Sequence, residues 1–208
     1  MSITPSDIIS NSRYRLIKRI NYSDIADFVF SCLKPSNPVI ALLLSFTLIS
    51  LGLAISVRID IWQLRSAGSL ILYTLTGLVV FPLLLIPVHE GLHVIIFLAF
   101  GGRDIRIGAD IRNFIFYVTA HRHVVSTLAF IIIAMFPFVV ITLATLIGMV
   151  WLPPVWKWSL SLSLLAHTTM CAGDFAMAAF YFENRDKRIL TWDDADEKIA
   201  YFYEDTGV

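Results

Sequence analysis

Long apolar runs dominate the chain and are separated by short polar connections. The first run covers residues 38–57, which matches the roughly 20 residues that a helix needs to cross a membrane. The second run, residues 68–100, is longer than a straight span requires and contains two prolines, which predicts a kinked or tilted helix. Two further runs cover residues 124–151 and 156–182. The pattern therefore predicts four transmembrane helices.

The segments between and beside these runs follow other patterns. Between residues 103 and 120, apolar side chains fall at alternate positions, which predicts a β-hairpin at the membrane edge. Residues 1–37 alternate apolar and basic blocks, which is typical of an amphipathic segment on the membrane surface. A loosely ordered tail is the alternative interpretation of that segment. Residues 183–208 are rich in charged side chains, and we expect short local structure there at best.

Composition agrees with a membrane protein. Of the 208 residues, 57% are hydrophobic and 15% are charged, and the mean hydropathy is +0.75. A soluble domain of this size contains less apolar sequence. We therefore predict an all-α polytopic membrane protein with four transmembrane helices and a short β-hairpin between helices 2 and 3. The membrane domain would cover residues 38–182, between an N-terminal cytoplasmic amphipathic segment (1–37) and a cytoplasmic C-terminal tail (183–208).

The distribution of positive charge predicts the orientation. Thirteen Lys and Arg residues lie in segments 1–37, 101–123 and 183–208, whereas three lie on the opposite side of the four predicted spans. This positive-inside bias places both termini in the cytoplasm of a multi-pass protein in the plasma (inner) membrane. The net charge is zero, so nucleic acid is not an expected partner. The predicted spans make the lipid bilayer the expected partner. Two cysteines are too few for a disulfide framework.

A His-Glu-x-x-His motif lies inside the second apolar run, at His89, Glu90 and His93. On a helix, the two histidines project from nearly the same face, so their ring nitrogens can reach one zinc ion. Glu90 is rotated by about 100° from His89, beside the ion, where it can serve as general base toward water. Ionisable side chains inside a membrane helix are costly and are functional by default. The alternative is that they pair with another helix without a metal.

A catalytic zinc ion needs a third protein ligand and an open position. Four side chains are candidates: His121, His123, His167 and Asp174. His93 and His89 lie roughly 10 Å and 16 Å from the cytoplasmic end of their helix, and Asp174 lies about 13 Å deep in the last span. This matched depth predicts Asp174 as the third ligand. The alternative is an aspartate paired with a nearby Arg or His without metal.

The remaining histidines have less specific patterns. His167 shares a helical face with Asp174 but lies about 10 Å away along the axis, too far to ligate the same ion in a straight helix. We predict a substrate-binding role for His167, as a hydrogen-bond donor; a buried histidine bonded to a backbone carbonyl is the alternative. The sequence His121-Arg122-His123 resembles a second metal motif, but alternate residues in a loop are typical of a solvated basic surface.

The order of these features resembles that of a known family. A span with His-Glu-x-x-His, a strand-rich segment, a span with a proline and a span with an aspartate follow one another, as in site-2-type intramembrane zinc metalloproteases. In particular, residues 69–182 are similar to the small four-helix membrane proteins grouped as "putative zincin peptidases". The resemblance implies His89, His93 and Asp174 as ligands of one catalytic zinc ion and Glu90 as general base.

The resemblance also implies how a substrate would bind. The strand segment, including Ile105 and Ile107, would hold an extended substrate along a sheet edge. The chain departs from larger family members, which carry an asparagine in the neighbourhood of His167, and it lacks their Leu-Asp-Gly context and appended regulatory domain.

The function predicted from these features is that of an intramembrane zinc-dependent metalloendopeptidase. Its substrate would be a membrane protein or peptide, hydrolysed by zinc-activated water with Glu90 as general base. Two alternatives use the same residues: a non-proteolytic protein that binds or transports metal, and an inactive relative that serves as a membrane binding scaffold. Dependence of the function on Glu90 distinguishes the protease from both.

Overall fold

The computed structural model describes residues 3–61, 66–110 and 115–207. The helices in chain order are α1 (Pro5–Ser10), α2 (Ile25–Cys32), α3 (Pro38–Asp60), α4 (Ala67–Leu75), α5 (Phe81–Ala99), α6 (Thr127–Trp151), α7 (Pro154–Met170) and α8 (Ala172–Glu183). The strands are β1 (Tyr14–Asn21), β2 (Ile105–Asp110), β3 (Ile115–Ala120), β4 (Val125–Ser126), β5 (Ile189–Asp194) and β6 (Ile199–Asp205). A 3-10 turn (Tyr22–Asp24) precedes α2, and a π-helical segment (Thr76–Val80) joins α4 to α5.

Three helices are long and apolar enough to cross a membrane, within the part of the chain that the structure describes. They cover Pro38–Ile59, Ala67–Ala99 and Thr127–Trp151. Polar caps define where these helices begin: the Asn37 side chain accepts from the backbone N–H of Val39, and Ser126 accepts from that of Ala129. The protein is therefore associated with a membrane.

The prediction of a fourth continuous membrane helix is wrong. The apolar run of residues 156–182 forms two shorter helices, α7 and α8, which meet at Cys171. Cys171 has a ψ angle of 6°, outside the α-helical range, and Gly173, a weak helix former, follows two residues later. The break places Asp174 in the first turn of α8.

The prediction of an all-α fold is also wrong, because the N-terminal and C-terminal segments pair into a four-stranded sheet. Its strand order is β1-β6-β5-β4, and neighbouring strands are antiparallel. Arg13 forms an ion pair with Asp205, and Arg15 with Glu204, across the β1–β6 pair. The segment predicted as an amphipathic surface segment thus contains β1, and the C-terminal tail supplies β5 and β6.

The hairpin predicted between residues 103 and 120 is present. Strands β2 and β3 pair antiparallel, with Ile105 opposite Ala120 and Ile107 opposite Val118. A single bridge from His121 to Asp193 connects the end of this hairpin to β5 of the larger sheet.

Both sheets lie at one end of the long helices. The strands precede α3, connect α5 to α6, or follow α8, and the bridge from His121 to Asp193 joins the two sheets. A buried cluster fastens α2, α8 and the four-stranded sheet together there: Ile20, Phe28, Phe180, Tyr181, Ile189 and Phe202. Ile20, Phe28 and Phe202 of this cluster line a cavity that also extends to residues of α5 and α8.

Candidate metal centre

Helix α5 presents the two histidines of the His-Glu-x-x-His motif toward the interior. His89 and His93 are one turn apart, and their Nε2 atoms are 3.1 Å from each other. Their rings meet edge to face, with centroids 4.8 Å apart. His93 is buried and His89 is half-buried. Helical spacing therefore brings two imidazole nitrogens together, as the sequence predicts.

Asp174 on α8 completes a group of three potential ligands. Its Oδ2 atom lies 3.1 Å from His89 Nε2, and its Oδ1 atom lies 3.4 Å from His93 Nε2. Ligands bonded to a tetrahedral zinc ion at about 2.0–2.1 Å are separated from each other by about 3.3 Å. The donor set and its spacing therefore fit one zinc ion held by two histidines and a carboxylate.

The second ring nitrogen of each histidine has a partner outside the group. His93 Nδ1 lies 3.0 Å from the carbonyl oxygen of Ile133 on α6, to which it donates. His89 Nδ1 lies 3.3 Å from Nε2 of His167 on α7. The carbonyl contact places the hydrogen of His93 on Nδ1 and leaves its Nε2 lone pair free for a metal. If His89 binds a metal through Nε2, its hydrogen also lies on Nδ1, which then donates to His167. The orientation of the two ligands is thus set by α6 and α7.

His167 lies behind His89 and is fully buried. Its ring stacks on Phe138, and the thiol of Cys171 lies 3.6 Å from its Nε2 atom. Its Nδ1 atom is buried without a hydrogen-bond partner among the described residues. The sequence predicted that His167 binds substrate, but its Nε2 atom faces a zinc-ligand candidate.

Glu90 shares a cavity with the three potential ligands. One of its carboxylate oxygens, Oε2, is buried and makes no hydrogen bond within the described part of the chain. A buried carboxylate oxygen without a partner is costly, and it is satisfied where water or a substrate donor occupies the cavity. Glu90 is therefore available to exchange protons with a group in that space.

The cavity has a volume of about 710 Å³ and reaches from the metal group, which we define as the three potential ligands His89, His93 and Asp174, to the four-stranded sheet. Residues 116–119 of β3 all line it. Because successive side chains of a strand point to opposite faces, a run of four lining residues shows that the edge of β3 faces the cavity. Of the substrate contacts predicted on β2, Ile105 packs with Phe97 and Ala120, and Ile107 is 69% exposed. The cavity is bordered by β3 instead.

Sequence reasoning missed five polar residues of the same cavity: Tyr22, Tyr117, Thr119, Thr191 and Asp193. They come from the segment before α2, from β3 and from β5. No motif connects them in sequence, since only the pairing of distant strands brings them together.

His121 belongs to a different cluster. His121 accepts from the backbone N–H of Ala195 through Nδ1, and its Nε2 atom lies 3.6 Å from Asp196. Asp194, which lies within ligand distance of both, already accepts two hydrogen bonds from Arg122. These contacts fasten the hairpin to the β5–β6 turn, and the Arg122 pair makes the group a poor competitor for a cation.

Comparison with known proteins points to one family. A family described as "Putative zincin peptidase" matches residues 82–187, half of the chain. The matched region begins inside the second apolar run and contains His89, His93 and Asp174. Searches of the curated proteins and of the solved structures found no match.

Proposed function

Because the chain belongs to the family described as "Putative zincin peptidase", we propose that it is an intramembrane zinc metalloprotease, similar to site-2 proteases, that cleaves membrane-associated substrates. Family membership indicates a metallopeptidase and implies zinc. The main support for an intramembrane site is the position of the three potential ligands. His89, His93 and Asp174 meet within 3.4 Å of each other, and both histidines lie in the apolar helix Ala67–Ala99.

The proposed site opens toward the cytoplasm. Strands β1 and β6 are hydrogen-bonded to each other, so residues 14–21 and 199–205 lie on one side of the membrane. The segments on that side carry most of the Lys and Arg residues, which favours the cytoplasmic side. His93 would lie roughly 10 Å below the end of its helix, and the cavity would supply the path for water and substrate.

Each polar residue of the site has a defined role in this proposal. Zinc, when bound, supplies Lewis-acid polarisation of the scissile carbonyl and makes water nucleophilic at neutral pH. Glu90 accepts the proton of the attacking water and donates a proton to the leaving amine. The hydrogen bonds from Nδ1 of His93 and His89 hold both ligand rings in place throughout.

The edge of β3 offers a way to hold the substrate. A peptide bond inside a helix is shielded by its neighbours, so a membrane helix must unwind before it can be cut. Residues 116–119 all line the cavity, and β2 is paired with only one edge of β3. An extended substrate that hydrogen-bonds to β3 would lie beside Glu90 in the same cavity.

Substitution of Glu90 by Gln tests the proposal. The variant should keep its zinc, because the three ligands are unchanged, and should lose cleavage of quenched fluorogenic apolar peptides by about 10²–10⁴-fold. Zinc is measured by metal analysis of the purified protein and cleavage by fluorescence in detergent micelles. Glu197→Gln, in the exposed β5–β6 turn, is the matched control and should cleave normally.

The ligand assignment has its own test. Asp174→Ala should lose zinc, whereas undiminished zinc in that variant would exclude Asp174 as a ligand. If Glu90→Gln retains proteolysis, the mechanism is wrong. If the wild-type protein binds zinc but cleaves none of the peptides, a metal-binding protein or a scaffold is the better description.

A further inference from the structure

A second group of polar side chains faces the cavity, above the metal group. The hydroxyl of Tyr22 donates to Oδ1 of Asp193 at 3.2 Å. Thr119, only 4% exposed, also lines the cavity. Its Oγ1 atom is buried near Asp193 and Tyr22, but it makes no hydrogen bond of normal geometry within the described residues. A buried hydroxyl without a partner indicates a polar group that is supplied by a ligand. We name this cluster of Asp193, Tyr22 and Thr119 the upper subsite.

The cavity is acidic. Its described lining residues include Glu90, Asp174 and Asp193 but no Lys or Arg. A divalent cation bound to the neutral histidines would balance the negative charge of two of these three carboxylates. The third carboxylate would leave the cavity with a net negative charge. The remaining lining is mostly apolar, so this charge is only weakly screened by solvent.

Asp193 and the adjacent Asp194 differ in whether a positively charged side chain pairs with them. Asp194 forms an ion pair with Arg122 at 2.8 Å and accepts from the backbone N–H groups of the turn. Asp193 has no ion pair within the described residues. Burial raises the pKa of Asp193 to about 6, although the neighbouring hydroxyl groups of Thr119 and Tyr22 favour the ionised form. At neutral pH it is therefore an ionised carboxylate that favours a positively charged partner.

We propose that the upper subsite binds the ammonium or guanidinium group of a Lys or Arg side chain that flanks the apolar segment of the substrate. This inference rests on the proposed function. The carboxylate of Asp193 and the Thr119 hydroxyl supply acceptors for such a donor, and the apolar walls accommodate the rest of the segment. Membrane helices carry Lys and Arg at their cytoplasmic ends, the side to which the cavity opens. The subsite would thus fix the position of a substrate relative to Glu90.

Peptide binding to a protein that does not cleave tests the subsite. The probes are two fluorescent apolar peptides with acetylated N-termini that differ only in Lys or norleucine at one flanking position. Zinc-loaded Glu90→Gln protein should bind the Lys peptide about tenfold more tightly in fluorescence anisotropy, because the charge pair forms away from water. Adding Asp193→Asn should reduce this preference to about twofold or less.

Three controls make the result specific. Asp193→Glu keeps the charge and should retain a preference for Lys, while Asp186→Asn, at an exposed position, should change nothing. The measured zinc content of each variant shows whether its metal group is intact. Acetylation excludes the α-ammonium group as the bound cation.

The outcomes separate the two proposals. Equal binding of both peptides by the Glu90→Gln protein, or an equal loss for both peptides in Asp193→Asn, overturns the subsite and leaves the peptidase proposal intact. If neither peptide binds and the wild-type protein cleaves neither of them, the peptide-binding cavity on which both proposals rest is overturned.

Discussion

At the scale of single residues, the orientation of His89 depends on His167. The two rings are joined by one hydrogen bond of 3.3 Å, and His167 is in turn held by Phe138 and Cys171. A partner of this kind keeps the ligand in one tautomer and one orientation. We therefore propose that His167 is a positioning residue, which would act on a bound zinc ion through His89.

Replacing His167 by Ala should weaken zinc binding by about 10–100-fold, the usual effect of losing a hydrogen-bond partner of a ligand. His167→Gln retains an acceptor and should recover most of the affinity. Competition with a chelating dye measures the affinity, and the absorption of bound Co²⁺ reports the ligand geometry. His123→Ala, outside the metal group, is the control. Equal affinity in the His167→Ala and wild-type proteins would contradict a positioning role.

The sequence could identify His89 and His93 because their spacing is local, and it pointed to Asp174 through its depth in an apolar run. The contact between His167 and His89 could not be predicted in the same way. Measured along a straight helix, His167 is too far from the ion, and only the packing of α7 against α5 shows which ring it meets. When a side chain acts through a neighbouring residue, its role depends on tertiary contacts. These contacts cannot be inferred from the spacing of residues along one helix.

At the scale of elements, the long helices follow from apolar runs, whereas the four-stranded sheet does not. Strand β1 contains Arg15, Lys18 and Arg19 among apolar residues, a pattern that also suits an amphipathic surface helix. What makes it a strand is pairing with β6, almost at the other end of the chain. Such long-range pairing leaves little local signal. The β2–β3 hairpin, by contrast, could be predicted because its two strands are adjacent in sequence.

Gly77 lets the π-helical segment Thr76–Val80 approach α7 closely. A Cβ atom added at Gly77 would lie only 2.9 Å from Leu162 Cβ and would collide with the carbonyl oxygen of Ser159. Gly77→Ala should therefore lower the free energy of unfolding by about 1–3 kcal/mol, the usual cost of overpacking. Thermal unfolding in detergent measures the change.

Gly52→Ala is the matched control, because nothing lies within 4 Å of an added Cβ atom at that position of α3. It should be neutral or raise stability by up to about 1 kcal/mol through helix propensity. If both variants unfold at the same temperature, the close contact between the π-helical segment and α7 does not contribute to stability.

At the scale of the whole molecule, the ligand group connects parts of the chain that are far apart in sequence. His89 and His93 lie on α5, Asp174 lies on α8, and α8 packs in turn against the cluster beneath the four-stranded sheet. A bound ion that holds these helices together stabilises the folded state, since the unfolded chain does not offer the three ligands in one place.

Removal of zinc by a chelator should therefore lower the melting temperature of the purified protein. Free zinc at about 100 times its Kd contributes about 2.7 kcal/mol, and a chain of this size gains about 2–4 °C per kcal/mol, so the expected shift is roughly 5–10 °C. Asp174→Ala should unfold at one temperature with or without zinc, whereas the surface variant Asp186→Asn should show the full shift. If the wild-type protein loses its zinc without a change in melting temperature, the ion does not link α5 to α8.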